Sequence, residues 1–308
     1  MYCFQHMIID CHVHRYPEKV SKDPVAFAES RGEKHWLQLV APKGKASIQG
    51  WANGSEMRND MEAGGVNKVA MLGWYWENPE TCFEHNRWHA DWLKEDSEHF
   101  LAFAATHPLG GNQSIEDLKR ARDSGFHGIG EIMPTVQAFS MQDPEWRRIV
   151  EFAIGEDWPV NFHVSEPVGP PHAGRIPTPL EDFQWLAETY PELKIILAHW
   201  GGLLPFHELN PFIRETFGNV WYDVAASPLL YDSKIFRAVV DAVGEDKVLY
   251  GSDYPLLLYP RIQKNPDFES YLIEINESGL NQRELKKILG ENFSDLIGLP
   301  KENSIHEA

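Results

Sequence analysis

The sequence predicts an α/β chain whose eight parallel strands close into a (β/α)8 barrel. Three observations carry this prediction. Eight short apolar runs recur along the 308 residues, with segments of helical spacing between them. The runs are near-continuous rather than alternating, as in strands buried on both faces of a parallel sheet. The first run leads into His12-Val13-His14, not into the Gly-x-Gly-x-x-Gly turn that opens a doubly wound sheet.

The elements follow in order. Residues 7–14 form the first strand. Residues i and i+2 of a strand share a face, so His12 and His14 present two imidazoles side by side. That is half of a metal site. Residues 15–60 are polar and punctuated by Pro and Gly. This is too long for a simple connection, so an insertion or lid with short helices is expected. The second strand, 66–72, runs into the aromatic loop Trp74-Tyr75-Trp76, and a helix over 79–99 opens on Pro79. The third strand, 100–106, leads to His107. Ser114 is the expected N-cap of a helix that ends before Gly125. The fourth strand, 128–132, carries Glu131, and a helix covers 144–157. The fifth, 159–164, carries His163 and precedes a Pro-rich loop holding His172 and Arg175. A helix over 180–190 leads to the sixth strand, 194–199, which ends in His199-Trp200. Helices at 211–217 and 233–243 flank the seventh strand, 220–224. The eighth, 247–253, ends in Asp253, and the helical region 267–308 closes a single domain spanning 1–308.

Composition sets the broad class. A hydrophobic fraction of 43% is enough for one large core. The net charge of −18 and the lack of a dense Lys/Arg cluster argue against nucleic acid as a partner. No run of about 18 apolar residues exists, so no membrane partner is expected. The N-terminus shows no basic region followed by a long apolar stretch, so no signal peptide is expected. Cys3, Cys11 and Cys82 form no disulfide framework, which fits a reducing cytoplasm. Cys11 is expected to pack in the core. The expected partner is a small-molecule substrate, and a homo-oligomer is compatible with the sequence.

The strand ends carry the chemistry. His12, His14, Glu131, His163, His199 and Asp253 all fall where strands end, and barrel strands end together on one pocket. Five of the six motifs are unremarkable singly, and their joint placement is the signal. Histidine and carboxylate ligands suit zinc and, less selectively, manganese. A bound divalent ion makes a nucleophile of water at neutral pH. Asp253 is then both ligand and proton shuttle, and His199 either binds a metal or polarises the substrate. Trp74, Trp76, His107, His172, Arg175 and Trp200 are expected to face the same pocket, with Arg175 holding a substrate carboxylate.

These motifs resemble the amidohydrolase superfamily, most closely its amidohydrolase-related branch of metal-dependent TIM barrels. The resemblance lies in Asp10-Cys11-His12-Val13-His14, Phe162-His163, Ala198-His199-Trp200-Gly201-Gly202, Tyr250-Gly251-Ser252-Asp253-Tyr254-Pro255 and Gly290-Glu291-Asn292-Phe293. It implies one metal held by His12, His14, His163 and Asp253, with His199 as acid/base. Gly130-Glu131-Ile132 looks like the bridging carboxylate of binuclear members, so Glu131 is also a candidate ligand. One ion, zinc ahead of manganese, is favoured over two. The resemblance implies either of two reactions. The leading expectation is hydrolysis of a lactone, ester or amide by metal-activated water. The alternative is non-oxidative decarboxylation of an aromatic or unsaturated acid. A TatD-like nuclease ranks below both on charge.

Overall fold

The computed structural model describes residues 6–169 and 171–300. Cys3, His306 and the end of the region expected to be helical over 267–308 lie outside those residues. The strands are β1 Ile9–Val13, β2 Lys68–Met71, β3 Phe100–Ala104, β4 Gly128–Ile132, β5 Val160–Phe162, β6 Ile195–Leu197, β7 Val220–Asp223 and β8 Val248–Leu249. Each pairs in parallel with the next, in sequence order. The segment after β8 brings the chain back to β1. The Cys11 amide donates to the Tyr250 carbonyl at 2.8 Å, Asp253 N–H to His12 O at 2.9 Å, and His14 N–H to Tyr254 O at 2.7 Å. The fold is the (β/α)8 TIM barrel expected from the sequence.

Two apolar layers hold it. In the outer one, strand residues such as Val69 and Met71 meet Met57 and Met61 of the helix Gly54–Gly64. The inner one joins Ile9, Cys11, Leu101, Phe103, Ile196 and Leu249, drawn from strands far apart around the sheet, with Phe293 and Leu296. Such a set can meet only inside the barrel. Cys11 is 1% exposed and packs there.

The insertion after β1 folds as short helices, Glu18–Lys22, Pro24–Arg31 and Lys34–Val40, followed by Gly54–Gly64. Asn53 and Glu56 close a capping box on the last of these. Leu257 N–H donates to Ile48 O at 2.8 Å and Gly50 N–H to Pro255 O at 3.1 Å, tying the insertion to the loop after β8. Leu39 and Ile48 thereby reach the cavity at the barrel mouth.

One helix start differs from expectation. The helix after β3 runs Asn112–Asp123 with Gly111 at its N-cap, so Ser114 lies inside it. The Ser114 hydroxyl donates instead to the His107 carbonyl at 2.6 Å. Among the described residues no helix is long and apolar enough to cross a membrane.

Candidate metal centre

Most strands stop short of the apolar runs that announce them, and the site residues sit at the second-to-last position of a strand, as His12 and Glu131 do, or past its end. There the side chain can turn into the barrel mouth. His12 Nε2 lies 3.6 Å from Glu131 Oε1 and 3.9 Å from Asp253 Oδ1. His14 Nε2 lies 3.3 Å from Glu131 Oε2 and 3.6 Å from Asp253 Oδ1. Among the described residues neither Nε2 has a hydrogen-bond partner, although both histidines are buried. Ligands about 2.1 Å from one ion stand about 3.0–3.4 Å apart at octahedral or tetrahedral angles. The donor set therefore fits a divalent cation. Among the described residues two groups have donor atoms within 4.8 Å of one another: His12, His14 and Asp253, and His12, Glu131 and His199.

His163 belongs to neither group. Its Nδ1 faces Glu131 Oε1 at 3.0 Å and His199 Nε2 at 3.1 Å. The convergent groups thus bring Glu131 and His199 beside His12, His14 and Asp253, and His163 adjoins them through Glu131 and His199.

Hydrogen bonds around the centre fix its tautomers. His199 Nδ1 sits 2.9 Å from the Ala225 carbonyl, so it carries the proton and leaves a lone pair on Nε2. Burial, with His163 adding to it, lowers the His199 pKa to about 4 and keeps the ring neutral. His12 Nδ1 lies 2.9 Å from Asp223 Oδ2, which also accepts from Asn161 Nδ2 at 3.0 Å. Asp223 Oδ1 accepts from the amides of His199 and Ala225. Burial alone would lower the His12 pKa, but Asp223 and Glu131 raise it well above its ordinary value. Burial would raise the Glu131 pKa, but His12 and His163 hold it well below the usual carboxylate range. Burial pushes Asp253 up to about 7, against the pull of His12 and His14. Sequence reasoning missed Asp223 and Asn161. Asp223 ends the apolar run of β7, the same signal that singles out Glu131 and Asp253.

The centre forms the floor of a cavity of about 320 Å³. Trp74 and Tyr75 line it, stacked at 4.3 Å, and the buried Tyr75 hydroxyl has no partner among the described residues. His172 also lines it. Four expected pocket residues do not. The Arg175 guanidinium is spent on its own loop, donating to the carbonyls of Glu166, Pro167 and Gly169. His107 turns back to accept from Leu109 N–H at 3.1 Å. Trp200 is fully buried, donates to Ser227 Oγ at 2.8 Å and packs on Phe236.

Trp76 is the fourth. It is buried and donates from Nε1 to His85 Nδ1 at 2.9 Å. His85 Nε2–H must then donate to His89 Nε2, also at 2.9 Å, and His89 Nδ1–H points to Phe103 O at 3.3 Å. A second proton on either ring would set two N–H groups against each other. Burial lowers both pKa values, that of His89 from 6.5 to about 3. A histidine whose folded pKa is depressed contributes stability that is fully present above the unfolded value. That stability is lost as pH falls from about 6.5 towards the folded value, by about 1.4 kcal/mol per pH unit for each ring. Urea denaturation at pH 7 and pH 5 is expected to show that drop, and His89→Gln is expected to flatten it. A wild-type profile flat over this window would refute the relay.

The amidohydrolase family model matches residues 9–298. The chain belongs to the amidohydrolase family. Among its relatives is the 2-amino-3-carboxymuconate-6-semialdehyde decarboxylase of Dictyostelium discoideum. It is 24% identical and matched over 79% of this chain and 74% of that protein. A 5-carboxyvanillate decarboxylase of Novosphingobium aromaticivorans was solved with manganese and 4-hydroxy-3-methoxy-5-nitrobenzoic acid. It superposes with TM-score 0.73 at 16% identity, over 96% of this chain and 97% of that one. A dihydroxybenzoic acid decarboxylase of Polaromonas was solved with manganese and the inhibitor 2-nitroresorcinol. It gives 0.67 at 17%, over 98% of this chain and 100% of that one. These relatives overturn the leading expectation of hydrolysis: all three are decarboxylases, the alternative the sequence left open.

Proposed function

We propose that this amidohydrolase-family protein is a metal-dependent, non-oxidative decarboxylase of a small aromatic or unsaturated carboxylic acid. The observation that carries the proposal is a cluster of buried metal donors on the floor of an apolar cavity, walled by Leu39, Ile48, Leu229, Leu230 and Leu256. Decarboxylation turns a charged carboxylate into neutral carbon dioxide. Such walls disfavour the charged start and tolerate the product. The reactions of the three relatives support the same reading.

The proposed ligands are His12, His14, Glu131 and Asp253. His12 has given Nδ1 to Asp223, so only its Nε2 remains for an ion. Both convergent groups need that nitrogen, which favours one ion over two. Two imidazoles and two carboxylates suit zinc or manganese, and manganese is the ion present in two solved relatives. Bound there, the ion supplies positive charge that holds anionic oxygens of the substrate and offsets charge developing on it.

In the reaction the C–C bond to the carboxylate breaks and its electron pair stays on the substrate carbon. Carbon dioxide leaves and a proton takes its place. Asp253 delivers that proton: Oδ1 faces the two imidazoles, while the side chain keeps 10% exposure at the cavity. His199, neutral and held by Ala225 O, keeps its lone pair towards Glu131 and His163. The unpartnered Tyr75 hydroxyl donates to a substrate oxygen. The net charge of −18 supports a small-molecule substrate rather than nucleic acid. A cytoplasmic setting and a homo-oligomer complete the proposal.

The test is direct. Protein purified without chelator is expected to hold about one equivalent of divalent metal. Incubated with a panel of aromatic and unsaturated acids, it is expected to release carbon dioxide in step with loss of an acid. In heavy water the product gains one deuterium. Turnover of lactones or amides, with no carbon dioxide from any acid, would sink the proposal.

A further inference from the structure

We infer that the pocket accepts an acid with one carboxylate and rejects a second one, and that Glu166 is the residue that discriminates. This rests on the decarboxylase reading. One carboxylate of the substrate is met by the centre on the floor. The cavity that must hold the rest of the substrate is lined by the apolar walls and by Glu166, which is 8% exposed. Glu166 Oε1 already accepts from His172 Nε2–H at 2.9 Å, so that donor is taken.

Among the described residues no Lys or Arg lines the cavity. Arg175, the cation nearest Glu166 along the chain, is turned away and held by three carbonyls of its own loop. A second substrate carboxylate would lose its water in this cavity, find no Lys or Arg, find the nearest imidazole, His172, already held by Glu166, and meet an existing carboxylate. Burial without a partner and repulsion by a like charge both disfavour it. A hydroxyl or amino group in the same place could donate to Glu166. The preferred substrate class is therefore a monocarboxylic acid whose distal groups are apolar or hydrogen-bond donors.

The experiment is calorimetric titration of the full-length manganese-loaded protein with three nitro compounds, the nitro group standing in for the departing carboxylate. 2-Nitroresorcinol reports on the decarboxylase reading itself. 4-Hydroxy-3-methoxy-5-nitrobenzoate and 2-methoxy-6-nitrophenol share one ring pattern and differ only in a carboxylate, so their ratio reports on the second charge. The nitrophenol is expected to bind at least about tenfold more tightly than the nitrobenzoate. Glu166→Gln is expected to narrow that gap about threefold or more, chiefly by tightening the nitrobenzoate. Equal or tighter binding of the nitrobenzoate by wild-type protein overturns the one-carboxylate inference and leaves the decarboxylase reading standing. A gap that Glu166→Gln leaves unchanged removes Glu166 from the role. Failure of all three compounds to bind the loaded protein overturns both readings.

Discussion

Asp253→Asn lowers the rate of decarboxylation about 1,000-fold or more, with the barrel intact. The substitution keeps the shape of the side chain and removes both its charge and its capacity to deliver a proton. Asp253 is 7% exposed and stands where the segment after β8 is tied to β1 through its own amide. That backbone bond survives the change, so the side chain keeps its place. Oδ1 lies 3.6 Å from His14 Nε2 and 3.9 Å from His12 Nε2, so the ion loses one charged ligand of its set as well. Two losses act in one direction. Progress curves with saturating manganese separate them: metal content recovers in excess ion, whereas the rate does not. A thermal melt within a few degrees of wild type confirms that the fold is intact. Activity within about tenfold of wild type at full metal occupancy would remove Asp253 from proton transfer.

That Asp253 is legible in the sequence follows from the barrel itself. Parallel strands in a closed ring carry their C-terminal ends to one rim, so a polar residue ending an apolar run is placed there whatever its distance along the chain. His12, Glu131, His163 and His199 are found by the same logic, and the structure brings all of them to one cavity floor. Asp223 obeys it too and is missed, because the expected seventh strand runs on to Val224 and so leaves the acid inside the run rather than at its end. Loop residues are a different case. Whether Arg175 points into the pocket depends on where the carbonyls of residues 166–169 fall, and no periodicity encodes that. Trp76 and Trp200 are aromatic residues just past strand ends, where spacing alone cannot separate a pocket wall from a side chain packed behind it. Each proved to have an indole N–H partner away from the cavity, His85 for one and Ser227 for the other. Pairing roles, unlike strand order, are settled by contacts between distant segments.

Asp223→Ala is expected to destabilise the protein by about 3–5 kcal/mol and to weaken metal binding about 10- to 100-fold. Asp223 is fully buried and accepts four hydrogen bonds, from His12, Asn161 and the amides of His199 and Ala225. Burial would raise its pKa, yet His12 outweighs that and holds it below the ordinary carboxylate value. Removing it leaves buried donors without an acceptor and His12 without its anchor. The His12 ring is then free to turn, and the Nε2 lone pair no longer has a fixed aim. Asp223→Asn isolates this second effect. It preserves volume and keeps one carbonyl oxygen, which can still accept from the amides of His199 and Ala225, but its NH2 group then stands where Oδ2 was and cannot accept from His12 Nδ1–H. Its stability loss is therefore expected to be smaller, while the loss of metal affinity stays near that of the alanine variant. Urea denaturation and manganese titration on the two variants measure the two quantities separately. An asparagine variant that binds manganese as tightly as wild type would show that the buried carboxylate supports the fold alone and does not orient His12.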